Sequence, residues 1–343
     1  MSGPTITTQQ LVLAMQDVDK PLHPRYIYRL SDLETQELNE IKRAWPEIPI
    51  WRRQAIFEDI LEIGQANTIL SFEAIARYAV SDPDAHVREQ AVRALWEYEE
   101  RDLVRIFLNL LHNDASPEVR AVSASGLGRF VYLGEIEELP ENTLHEIEER
   151  LLATTTGSDT LEVRRRALES LGYSGRDEVA ALIEKAYSSK NAMWLVSALS
   201  AMGRSADHKW NGLVLEMLEY DNPEVCNEAA RAAGELELRR AVPLLMELLN
   251  TEDSELRMTS VWSLSQIGGP GIQDALEELL EETEDEDEVE FIEEALENLA
   301  FTEETQLFDL IDVAEDEAEE VDDDAVDDEE IPYLLDDADE EQD

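Results

Sequence analysis

The chain has 343 residues, 43% of them hydrophobic, and a formal net charge of −54 from 81 acids against 27 Lys and Arg. Charge of that sign and size repels phosphate backbones and anionic headgroups, so nucleic acid and membrane surfaces are excluded as direct partners and basic proteins or peptides are favoured. A single cysteine, Cys226, leaves no intramolecular disulfide, and no run approaches the roughly eighteen apolar residues of a membrane span. The first residues carry no basic segment followed by an apolar run, so no secretion signal is expected, and the expectation is a monomeric, cytoplasmic protein.

Residues 1–49 read as an N-terminal helical cap. Thr8 to Val18 suits a short helix, which Pro21 and Pro24 break. A second helix is expected from Ser31, with Glu34 completing a capping box, and Pro46 ends it. Helix resumes at Ile50, where Ile56, Ile60 and Ile63 keep the 3.6-residue beat, and Gly64 closes the segment.

From Asp82 a phrase recurs: a turn, then Val-Arg, then small residues at fixed offsets. It stands at Val87-Arg88, Val119-Arg120 and Val163-Arg164, and more loosely at Trp194, Val225-Cys226, Leu256-Arg257 and Glu288. The steps are close to 31 residues except for 44 between Val119 and Val163, a surplus expected in loops at Gly134–Asn142 and Thr154–Gly157. With Val as zero, small residues return at offset four (Ala91, Ser123, Ala167, Ala198, Ala229, Ser260) and offset seven (Ala94, Gly126, Ser170, Ala201, Ala232, Ser263). Glycine returns at offset nine (Gly128, Gly172, Gly203, Gly234). Offsets zero, four, seven, eight and eleven share one helical face, and small side chains on it let neighbouring helices approach closely. Second amphipathic helices lie between, at Leu103–Leu111, Ala180–Tyr187 and Val242–Leu249. A period near thirty residues is one helical hairpin stacked on the next.

The Asp-x-x-Pro-Glu-Val-Arg turn followed by Ala-x-x-Ala-Leu-Gly resembles the HEAT repeat, in the short form found in bilin-lyase-type proteins, over about residues 50–300. The resemblance implies an all-α, right-handed α-solenoid of about eight helical hairpins, here at residues 50–313. It also implies an Asp–Arg ladder along successive turns, with Asp82, Arg88, Asp114 and Arg120 as structural residues, and Val-Arg helices on the concave side.

Little chemistry is visible. There is no Gly-x-Ser-x-Gly elbow, and the five histidines are scattered. The HEAT-like di-iron hydroxylases hold metal through several His-Glu pairs, whereas this chain has only His145-Glu146. Neither a metal nor a cofactor is expected, and Gly268-Gly269-Pro270-Gly271 reads as a turn because no Lys-Ser/Thr follows it. Cys226 takes an Arg position and reads as a packing residue.

Offsets six and ten point away from the packed face and carry Arg93, Arg129, Arg204 and Arg231. Arg165 and Arg166 are nearby, and Trp262 stands where its counterparts are polar. These seven residues are the expected partner-binding face, although local glutamates also suit the arginines as simple ion-pair partners. Residues 314–343 hold 18 acids and no base, the composition of a disordered acidic tail, interrupted by Ile331, Pro332, Tyr333, Leu334 and Leu335 as a candidate docking motif. The functional expectation is a non-enzymatic scaffold binding a protein partner in the groove, with the tail tuning access. The alternatives are a bilin-lyase-like or other modification-enzyme subunit, and an acidic-tail chaperone for a basic protein.

Overall fold

A computed structural model describes residues 6–302, and among them are eighteen α-helices and no strand. Three leading helices, α1 (Thr8–Gln16), α2 (Pro24–Tyr28) and α3 (Thr35–Ala44), precede two alternating rows. The Val-Arg row comprises α4 (Ile50–Ala66), α6 (Ala85–Arg93), α8 (Pro117–Glu135), α10 (Leu161–Leu171), α12 (Ala192–Arg204), α14 (Pro223–Glu235), α16 (Ser254–Ile267) and α18 (286–302). Between them lie α5 (Glu73–Ala79), α7 (Asp102–Asn113), α9 (Glu141–Thr156), α11 (Asp177–Ser188), α13 (Asn211–Met217), α15 (Val242–Leu248) and α17 (Ile272–Glu282).

The recurring phrase is first a helix start. Asp84, Ser116, Thr160, Asn191, Asn222 and Asp253 are N-caps. Each accepts a hydrogen bond from the N–H three residues on, at Val87, Val119, Val163, Trp194, Val225 and Leu256. A cap of this kind is worth about 1 kcal/mol, so the turns place helix starts at a fixed phase relative to the buried valine.

That phase brings small residues together. A Cβ added to Gly172 would lie 2.7 Å from Ala201 Cα. On Gly203 it would lie 3.1 Å from Ala232 Cα, and on Gly234 2.9 Å from Ser263 Cα. The glycine at offset nine of one helix thus receives the offset-seven residue of the next. Where that residue is serine, its hydroxyl also donates back to the preceding helix, Ser170 to Ala124 O at 2.9 Å and Ser263 to Ala230 O at 2.8 Å. Helices of the second row pack mainly on their hairpin partners rather than on one another. A stack that is tight along one row and loose along the other bends with the tight row inside.

A polar ladder runs beside this packing. Arg88 makes a bidentate pair with Asp114, both bonds 2.8 Å, while its Nη1 donates to Asp82 O. Arg120 repeats this with Asp159 and Asp114 O. Buried Arg53 and Trp45 Nε1 both donate to Asp82, and Arg257 closes the series on Glu288 at 2.8 Å. Burial pushes Asp114 up, but the Arg88 hydrogen bond, the Ser116 N–H and the charges of Arg88 and Arg120 together hold it below the ordinary carboxylate range.

Three local expectations change. The 44-residue step is taken up by longer helices, since α8 runs to Glu135 and α9 covers Glu141–Thr156, leaving little loop. Helix α3 begins at Thr35 rather than Ser31, with Glu37 reaching back to the Glu34 N–H. Ser31 instead accepts from Ser71 N–H, because Asp32 takes φ 53° and turns the chain away from helix there. Gly64 lies inside α4, which continues to Ala66. Residues 314–343, expected as a disordered tail, lie outside the described residues.

Candidate functional site

Four consecutive helices of the Val-Arg row, α6, α8, α10 and α12, frame a cleft of about 490 Å³. Arg93, Arg166 and Arg204 line it together with Trp96, Glu118 and Glu169. None of the three arginines is a bare cation. Arg93 pairs with Glu89 at 3.1 Å and lies over the Trp96 ring, 5.2 Å from its centroid. Arg166 bridges Glu162 at 2.7 Å and Glu169 at 2.8 Å. Arg204 donates to Glu169 O at 2.9 Å and covers Tyr173.

The remaining expected residues lie apart from this cleft. Arg165 is only 8% exposed; its Nε donates to Ser197 Oγ at 2.9 Å, and Ser197 donates to Glu169 at 2.6 Å, so it sits inside the α10–α12 interface beneath the surface. Arg129 pairs with Glu99 and lies over Tyr132. Arg231 is exposed and lies 3.6 Å from Glu228. Trp262 is half-buried, because Gly234 leaves room for its ring: a Cβ there would come within 2.7 Å of Cζ3. The tail residues Ile331, Tyr333, Leu334 and Leu335 lie outside the described residues.

Several lining residues escaped the sequence reading. Trp96 occupies offset nine of its helix, where later copies carry glycine, and its Nε1 donates to Val122 O at 3.1 Å. That departure from the glycine pattern was the readable signal. Glu89, Glu118 and Glu162 gave none, because in so acidic a chain a glutamate near a helix start is unremarked.

A second acidic pair lies further along the row. Burial raises Glu228 and Glu235 above the ordinary carboxylate range, Glu235 to about 7, against the pull of Arg204 and Arg231. Glu235 fits there because Gly203 has no side chain, and its Oε2 finds no hydrogen-bond partner. Cys226 is buried, its Sγ 3.0 Å from Leu218 O, and burial pushes the thiol up, away from the nucleophilic thiolate. Among the described residues no group of three or more His, Cys, Asp or Glu is placed to hold a metal ion. No described helix is long and apolar enough to cross a membrane.

No curated protein matches the chain in sequence. In structure it is similar to YibA of Escherichia coli at 18% identity and TM-score 0.41, covering 82% of this chain and 98% of that one. It is also similar to the complex of CpcE and CpcF of phycocyanin lyase from Nostoc sp. PCC7120, at 20% identity and TM-score 0.45, covering 66% of this chain and 94% of that one. Human deoxyhypusine hydroxylase in complex with glycerol aligns at 16% identity and TM-score 0.34, covering 76% and 95% respectively. The family model for HEAT repeats matches residues 72–142 and 211–297. With the hairpin stack and its capped Val-Arg turns, that match shows HEAT repeats over those residues.

Proposed function

We propose that this repeat scaffold is an adaptor that holds a segment of another protein along the Val-Arg face. The observation that carries the reading is the cleft of about 490 Å³ spanning four consecutive helices of one row. Its walls offer Trp96 for an apolar or aromatic side chain. Four glutamates against three arginines leave its charge slightly acidic, which suits a segment bearing basic residues. Residues 314–343, with 18 acids, compete for the same basic partner and so tune its access.

A photo-crosslinking residue at Ser125, in the cleft, is expected to trap one discrete partner. The same residue at Glu184, exposed on α11 of the other row, is expected to trap none. Glu118→Lys, which reverses the charge of a cleft wall, and Trp96→Ala are each expected to abolish the Ser125 adduct. An equal yield of the same adduct from both positions, or no adduct from Ser125, refutes the groove reading.

A further inference from the structure

The ladder has one arginine whose aspartate is missing. Arg164 follows Val163 as Arg88 follows Val87, but the position five residues before Trp194 is Ser189, where Asp82 and Asp114 precede Val87 and Val119. Arg164 makes no ion pair among the described residues. Its Nε donates to Thr155 O at 3.0 Å, and its guanidinium lies 5.5 Å from the Trp194 ring centroid. Beside it is a hollow of about 170 Å³ between the hairpins α9/α10 and α11/α12, lined by Arg164, Lys185, Ser189, Trp194 and the apolar Leu168 and Leu182.

Two further features mark this hollow. Lys185 is exposed and also without an ion pair among the described residues, in a chain where 81 acids face 27 bases. Thr155, which lines the same hollow, is 4% exposed, yet its Oγ1 has no hydrogen-bond partner. Two cations and an unsatisfied hydroxyl around an apolar wall recognise a carboxylate carried beside an apolar side chain.

We propose that this hollow binds an acidic peptide with an apolar core, and that the occupant is the chain's own segment 327–343. There Ile331-Pro332-Tyr333-Leu334-Leu335 is bracketed by acids, and no base follows Arg257 to pair with them. The 28 residues 303–330 span at most roughly 90 Å. The hollow is three hairpins from α17/α18, about 30 Å at a layer spacing of about 10 Å, so the segment reaches it with length to spare. The hollow and the cleft share helix α10 but no lining residue, so loss of peptide binding here and loss of the groove adduct are distinguishable, and a docked segment 327–343 is withdrawn from competing for the groove's basic partner.

A fluorescein-labelled peptide of residues 327–343, titrated against the intact chain at low salt and followed by anisotropy, is expected to bind saturably. Arg164→Gln and Ser189→Asp are each expected to weaken it about tenfold. Ser189→Asp is the discriminating variant, because it gives Arg164 a ladder carboxylate while leaving every cation in place and the fold intact. A chain carrying Tyr333→Ser and Leu334→Ser is expected to bind the labelled peptide more tightly, since its own copy competes less. Binding that Ser189→Asp leaves unchanged overturns the proposal. So does absence of binding to both the native and the Tyr333→Ser, Leu334→Ser chains, or binding of inorganic phosphate in place of the peptide.

Discussion

Two stretches of the Val-Arg row share their packing and differ in their polar contacts. From α4 to α10 each turn aspartate is claimed by an arginine of the preceding helix: Asp82 by Arg53, Asp114 by Arg88, Asp159 by Arg120. From α10 to α16 the ladder lapses, with Arg164 lacking its carboxylate and Leu195 and Cys226 standing in later arginine positions. Stacking continues regardless, through Gly172 on Ala201, Gly203 on Ala232 and Gly234 on Ser263. Close backbone approach therefore carries the solenoid, and the ladder adds to it. Unpartnered buried polar atoms occur in both stretches, Arg53 Nε beside the ladder and Thr155 Oγ1 and Glu235 Oε2 beyond it, but only beyond it is one of them a carboxylate oxygen.

The sharpest way to break this comparison is to attack the approach itself. Gly172→Val would drive a side chain against Ala201 Cα at 2.7 Å and Ala201 O at 2.9 Å, backbone atoms that cannot rotate away. A loss of about 3 kcal/mol or more in urea unfolding is expected. Gly212→Ala is the control, since nothing lies within 4 Å of its added Cβ, and it is expected to be neutral or to gain about 0.5 kcal/mol. Similar losses for the two glycines would mean that close approach is not what holds the row together.

Most of this architecture was legible because it rests on short-range rules. Capping side chains, buried valines and offset-nine glycines recur in linear register, so one strong copy such as Ser116–Gly128 predicts the others. The candidate face was less legible. Offset six marked Arg93 and Arg231 as pointing outward, but whether a side chain is free depends on the neighbouring repeat. Arg165 vanished beneath α12 onto Ser197, and Trp262 folded down over Gly234. The two long helices α8 and α9 were hidden for a related reason: Gly134 reads as a breaker, yet it serves as a contact, with Leu144 side-chain atoms within 2.9 Å of its would-be Cβ.

A smaller effect tests the ladder. Asp114→Ala removes a bidentate partner from Arg88 and an acceptor from the Ser116 N–H, and it is expected to cost about 2 kcal/mol. The folded-state pKa of Asp114 lies below its ordinary 3.8, so its contribution is present above that value and lost as pH falls through the folded one. The native chain should therefore show an acid-induced loss of Tm that the variant partly lacks. A variant as stable as the native chain at neutral pH would mean the ladder contributes nothing to stability.

Glu235 should show the opposite sign. Its folded pKa, about 7, stands above the unfolded 4.5, so between those values the folded state binds the extra proton and stability falls as pH rises. Below about 4.5 both states are protonated and the carboxyl costs nothing; above about 7 both are ionised and the full penalty is present. Glu235→Gln keeps the shape against Gly203 without the charge, so it is expected to be neutral at pH 4 and to stabilise by about 1 kcal/mol at pH 8, read as a Tm difference that grows with pH. The Asp114 and Glu235 variants thus diverge in opposite directions across one pH series. That divergence follows from the geometry: Asp114 is ringed by donors on a ladder, whereas Glu235 is buried with Oε2 unpartnered. A Glu235→Gln effect that is flat with pH would mean Arg204 and Arg231 already neutralise the site, and the supposed contrast between the two stretches would not extend to their charges.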